Sequence, residues 1–134
     1  MTRRTEKVAR TIQVQLAELI NFRLADPRID HPVTVTGVDV SHDLRQAVVK
    51  VTAIGATDAQ LRTLLRALRH ASGRLGHLLG QRLASRSVPR LDIRLDEQAI
   101  RTRQTLEAIS EAMKQVRPAT ESDEDSPRQE STEG

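Results

Sequence analysis

Residues 57–83, TDAQLRTLLRALRHASGRLGHLLGQRL, decide how this chain folds. Thr57-Asp58-Ala59-Gln60 has the form of a capping box, in which the threonine hydroxyl satisfies an early helix amide and the glutamine side chain returns to the backbone of the cap. A helix therefore starts there. Leu61, Leu64, Leu65 and Leu68 form its apolar stripe, and Leu75, Leu78, Leu79 and Leu83 form a second stripe after Ala71-Ser72-Gly73 breaks the run. Gly73, Gly76 and Gly80 fall within eight residues. Each glycine costs a helix about 1 kcal/mol relative to alanine, so two helices with a kink at Ser72-Gly73 are expected rather than one.

Working outward, Val88-Pro89 closes the helix pair, and Leu91, Ile93 and Leu95 alternate with Asp92, Arg94 and Asp96 as a strand. On the other side, Ala47 to Ile54 reads as a strand with Val49, Val51 and Ala53 on one face. The polar link His42 to Arg45 joins it to an earlier strand, Val33 to Ser41, as an antiparallel hairpin. In that earlier strand the phase slips: Val33 and Val35 share one parity, Val38 and Val40 the other, with Gly37 between. A bulge at Gly37 lets both pairs face the core. Thr5 to Leu24 is an amphipathic helix through Val8, Ile12, Leu16, Leu19 and Ile20, stopped by Asp26-Pro27. After the last strand, Leu106, Ile109, Met113 and Val116 suggest a short amphipathic helix over 105–117. The segment 118–134 is acidic, poor in apolar residues and expected to be disordered. The resulting organisation is a domain over 1–104, the helix 105–117 and the tail 118–134. Its order α-β-β-α-kink-α-β describes an α+β layer, a three-stranded sheet with helices on one face.

Composition narrows the function classes. At 134 residues the chain has room for one domain. Cysteine is absent, so disulfides, thiol catalysis and thiolate metal sites are excluded. Phe22 is the only aromatic residue, which demands an aliphatic core and argues against RNA modules that stack bases on several exposed rings. The charge of +3 is a sum of two regions: about +8 over 1–117 and about −5 over 118–134. Eighteen of the 21 basic residues are arginine, the forked donor suited to phosphate. No apolar run is long enough to span a membrane, and Met1 to Arg10 lacks the apolar stretch of a signal peptide, so a cytoplasmic location is expected.

Several pieces together carry a family resemblance: Asp26-Pro27-Arg28-Ile29 after the first helix, Val40-Ser41-His42-Asp43-Leu44 after the first strand, the Ala71-Ser72-Gly73 interruption, and Val88-Pro89-Arg90-Leu91 followed by Asp96-Glu97. In this order and spacing they resemble the ribosome-binding factor A family over roughly residues 3–106. The resemblance implies a type II KH-like fold in which an Ala-x-Gly kink, here Ala71-Ser72-Gly73, replaces the phosphate-clamping Gly-x-x-Gly loop. Ile93 stands where the family commonly has an aromatic residue. Gly73-Arg74-Leu75-Gly76 also spells Gly-x-x-Gly, so an RNA clamp is the rival reading of the same residues. Leu75 continues the apolar stripe and favours the kink.

The resemblance further implies a non-enzymatic factor whose partners are 16S rRNA and the immature 30S subunit. Such a factor holds an rRNA region against premature initiation, supports late maturation and 5′-end processing, and matters for growth in the cold. A monomer with no cofactor, no metal and no DNA or membrane partner is expected. Two other readings compete with it: a KH-like regulator of messenger or small RNAs, and an adaptor binding acidic proteins.

The residues offer little catalytic chemistry. Ser41-His42-Asp43 are adjacent on an extended segment and point in different directions, unlike a triad assembled in space. His31, His42, His70 and His77 lack ligand spacing. The cations are the stronger candidates for function. Arg3, Arg4, Lys7 and Arg10 cluster at the start of the first helix. Arg62, Arg66, Arg69 and Arg74 line the kinked pair, and Arg82, Arg86 and Arg90 lead onto the last strand. Arg62, Arg66 and Arg69 fall at i, i+4 and i+7, on one helical face, as a ridge suited to a phosphate-bearing partner. Without aromatic platforms, contact is expected to backbone and shape.

Overall fold

The computed structural model describes residues 3–83 and 87–116. The chain divides into two units, residues 1–96 and the unit that begins at Glu97. In the first unit the order is α1 (Arg3–Glu18), a π-helical turn (Leu19–Arg23), β1 (Thr34–Val40), β2 (Gln46–Thr52), α2 (Asp58–His70), α3 (Ser72–Leu83) and β3 (Arg90–Leu95). The three strands lie in the order β1-β2-β3, with β1 antiparallel and β3 parallel to β2. The parallel pairing of β3 follows from the α2–α3 crossover, since parallel neighbours cannot be joined by a tight hairpin.

The valine phase slip is a bulge. Val35 pairs with Val51 and Gly37 with Lys50, so Thr36 is the extra residue, one position before the expected glycine. After it, Val38 and Val40 stand opposite Val49 and Ala47, on the same face as Val35. Val35, Val40, Ala47, Val49, Val51 and Ile93 are buried on that face, against the stripes of α1, α2 and α3. Ile12 and Leu16 of α1, Leu61 and Leu68 of α2 and Leu75 and Leu79 of α3 are at most 1% exposed. Each stabilises the fold by about 2 kcal/mol. Phe22 is 80% exposed, so the core is wholly aliphatic.

The first helix departs from a simple α pattern at its end. Leu24 N donates to Leu19 O at 3.0 Å, an i+5 bond that widens the last turn and brings Leu19 and Ile20 side by side into the core. Asn21, carried on that turn, clamps the entry to the sheet. Its amide donates to Ala17 O (2.8 Å) and Val33 O (2.9 Å), and its oxygen accepts from Val33 N (2.8 Å).

The capping box is present: Thr57 Oγ1 accepts from Gln60 N (3.2 Å), and Thr57 N donates to Gln60 Oε1 (2.8 Å). The break between α2 and α3 is narrow and falls at Ala71, one residue before the expected Ser72-Gly73. Ala71 alone leaves the helical run, with φ −92° and ψ 6°. Its N–H still bonds Ala67 O, and its carbonyl accepts from Leu75 N at 2.9 Å, so the bend occurs with little loss of backbone bonding. Gly73 and Gly76 both lie inside α3.

In the second unit, α4 spans Glu97–Val116, beginning eight residues before the expected 105. The gap between Ile100 and Leu106 is filled by Arg101, Thr102, Arg103, Gln104 and Thr105, which extend a helix without an apolar stripe, so periodicity gives no sign of its start. The first unit ends at Asp96, just after β3. The expected tail, 118–134, lies outside the described residues.

Candidate nucleic-acid interface

The core-facing stripes determine where the cations go. In α1, Thr5, Ala9, Ile12 and Leu16 are buried, which leaves Arg3, Arg4, Lys7 and Arg10 exposed. In α2, burial of Leu61, Leu64, Ala67 and Leu68 turns Arg62 and Arg66 outward, one helical turn apart. Arg74 is exposed on the first turn of α3. None of these seven side chains makes a hydrogen bond or ion pair among the described residues.

The ridge is shorter than the sequence spacing implies. Arg69 turns back onto the sheet edge and its Nε donates to Ile93 O at 3.0 Å. A helical wheel places the side chain but not the carbonyl of an edge strand, which has no further strand to bond it. Arg82 is also engaged: its Nη1 donates to Glu18 Oε1 at 2.6 Å and to Gln15 Oε1 at 3.0 Å, tying α3 to α1. Arg82 is therefore a structural tie, and Arg86 lies outside the described residues.

Arg69 and Arg90 come together in a groove of about 340 Å³ at the edge of β3, lined also by Gln46, Ser72 and Asp92. Arg90 is exposed, and its backbone N–H donates to Arg45 O at 2.8 Å, joining the hairpin turn to the start of β3. Asp92 is the one acid there, and the Arg94 side chain hydrogen-bonds it (2.7 and 3.2 Å) and holds its carboxyl below the usual range. The groove thus offers two arginines at the bend between α2 and α3, with the local carboxylate already occupied.

Ser41-His42-Asp43 forms a turn clamp. Ser41 Oγ donates to Asp43 Oδ1 (2.8 Å) and accepts from Gln46 N (2.9 Å), while His42 is exposed and takes no part. The serine hydroxyl and the Arg45 amide hold the Asp43 carboxyl below its ordinary value. This turn carries two features that sequence spacing missed: Gln46 lines the arginine groove, and Leu44 has a positive φ of 61°. Among the described residues, no group of three or more His, Asp or Glu side chains is placed to hold a metal ion.

Comparisons with known proteins bear on the whole of this arrangement. Residues 4–117 match the family profile described as ribosome-binding factor A. A ribosome-binding factor A from Alkalilimnicola ehrlichii is 42% identical over 120 residues, covering 90% of this chain and 92% of its own length. The crystal structure of ribosome-binding factor A from Thermus thermophilus superposes with a TM-score of 0.57 at 32% identity, over 68% of this chain and 94% of the other. A second Thermus thermophilus structure is a homology model of that factor fitted into the electron cryo-microscopy map of a 30S complex. It matches with a TM-score of 0.53 at 32% identity, over 64% of this chain and 88% of the other.

Proposed function

Because this chain belongs to the ribosome-binding factor A family, with the α+β, type II KH-like fold of its relatives, we propose that it is a non-enzymatic assembly factor for the small ribosomal subunit. It binds free 30S particles in preference to 70S ribosomes, through 16S rRNA, and promotes late maturation and processing of the rRNA 5′ end. It works in the cytoplasm as a monomer. The observation that supports this reading is the set of exposed arginines on the α2–α3 pair, Arg62, Arg66 and Arg74, which have no side-chain partner among the described residues, together with the Arg69–Arg90 groove. Exposed arginine without carboxylate partners suits a surface of phosphates. The relative fitted into a 30S map supports the identity of the particle.

The mechanism is differential affinity. A protein that binds one rRNA conformation better than another shifts the population toward it by that difference alone, with no chemical step. Arginine contacts to backbone and groove shape serve this purpose, since they read the geometry of folded RNA more than its sequence. Depletion of the protein tests the role: precursor 16S rRNA with an unprocessed 5′ end accumulates in free small subunits, most strongly in the cold. A normal 16S profile after depletion contradicts it.

A further inference from the structure

A second cation pair stands apart from the arginine groove. Arg4 and Lys7, on the first two turns of α1, border a cavity of about 400 Å³ whose other walls are the apolar Val8, Leu44, Leu83 and Pro89 and the hydroxyl-bearing Thr11 and Ser87. Three different segments build it: α1, the hairpin turn, and the end of α3 with the approach to β3. Two features of the cavity run against the protein's own stability. The N-terminal turns of a helix favour acids, yet Arg3, Arg4 and Lys7 are placed there with Glu6 as the one acid. Leu44 holds φ 61°, a left-handed conformation that a bulky side chain rarely adopts and that concentrates at functional sites. The turn is held there by Ser41, whose carbonyl accepts from Leu44 N at 2.9 Å and whose hydroxyl accepts from Gln46 N.

We propose that this cavity is a nucleotide pocket that takes one unstacked ribonucleotide, with its phosphate between Arg4 and Lys7 and its base against Val8, Leu44, Leu83 and Pro89. The inference rests on the RNA-binding role proposed above and adds a site to it. The size falls in the range of pockets that enclose a small ligand. The chemistry asks for a ligand with two ends. A bare phosphate or an acidic side chain satisfies the cations and leaves the apolar walls wet, whereas a nucleotide covers both. The walls named carry no aromatic ring, so the base is held by aliphatic packing and the pocket accepts purines and pyrimidines alike. RNA is the polymer in which single unstacked bases are commonly presented in this way.

The test is methyl-detected NMR of the full chain titrated with adenosine 5′-monophosphate, uridine 5′-monophosphate and ribose 5-phosphate. Both nucleotides shift the Val8, Leu44 and Leu83 methyls saturably, and ribose 5-phosphate binds at least tenfold more weakly. Leu44→Gly, which a positive φ tolerates, reduces nucleotide affinity to the level of ribose 5-phosphate. Lys7→Glu, at an exposed position where a helix favours an acid, weakens both nucleotides severalfold with the fold intact. Equal response to ribose 5-phosphate, no shift of these methyls, or tighter binding of hexaglutamate at the same methyls overturns the pocket. If that happens while the protein still sediments with 30S subunits, the pocket alone falls. If the wild-type protein does not sediment with 30S subunits, the RNA-binding role falls with it.

Discussion

Replacing Gly76 by alanine separates the two meanings of Gly73-Arg74-Leu75-Gly76. The residue lies inside α3, and a Cβ built on it meets nothing within 4 Å. Alanine there gains the helix-propensity difference of about 1 kcal/mol with no steric charge against it. Gly80, four residues on, is the internal control, because its Cβ would come within 3.0 Å of Val88 Cγ2. Gly80→Ala gains the same propensity and loses about 1 kcal/mol to displacement of Val88, so its net effect falls below that of Gly76→Ala by about that amount. For a domain of this size, 1 kcal/mol moves the melting temperature by about 4–8 °C. Without Trp or Tyr the assay is far-UV circular dichroism, read by thermal and urea unfolding. Gly76→Ala should raise the melting temperature and leave 30S binding unchanged. A fall in stability, or a rise accompanied by loss of binding, refutes the helical-kink reading and restores the phosphate clamp.

Asn21→Ala removes three hydrogen bonds, one to Ala17 within the first helix and two that tie the π-helical turn to Val33 at the entry to β1, and leaves the backbone of the buried Val33 without them. A loss of about 1–3 kcal/mol is expected in urea unfolding, and a smaller effect than 0.5 kcal/mol, by the same scale, counts against the clamp. The Arg28 side chain and amide hold the Asp26 carboxyl at about 2, below its ordinary 3.8. A carboxyl whose pKa falls on folding stabilises the native state above the unfolded value and loses that contribution as pH drops through the folded one. The stability difference between wild type and Asp26→Asn should therefore be constant above about pH 5 and shrink between about pH 4 and pH 2; a constant difference across that window contradicts the pairing. If about five phosphates are engaged, log affinity for 30S subunits falls with log salt at a slope between about −3 and −5, and a flat response favours a protein partner.

Much of the fold is legible in side-chain periodicity because one face of every strand and helix in the first unit is buried. The slipped parity of Val33, Val35, Val38 and Val40 announced a bulge, and Thr57 with Gln60 announced the start of α2. Backbone detail was less accessible. The π turn at Leu19–Arg23 leaves only a crowding of Leu19 and Ile20, which a continuous α-helix also explains. The start of α4 is hidden because a helix that is polar on most sides has no stripe to read. Among the candidate site residues, sequence spacing identified Arg62 and Arg66 as one face. It could not foresee that Arg69 would bond the Ile93 carbonyl or Arg82 the Glu18 carboxylate, because both contacts join segments far apart in the chain. Leu44 gave no warning, since a leucine with positive φ is imposed by the turn that holds it.

The central claim is that the exposed arginines of the α2–α3 pair carry binding to the small subunit. Arg62→Glu, Arg66→Glu and Arg74→Glu combined change three solvent-facing side chains with no partners among the described residues, so circular dichroism should show an intact fold. Sucrose-gradient sedimentation with purified subunits is the direct measurement. The wild-type protein is expected with free 30S particles and not with 70S ribosomes, and the triple variant is expected at the top of the gradient. Undiminished sedimentation of a folded triple variant with 30S subunits contradicts the account.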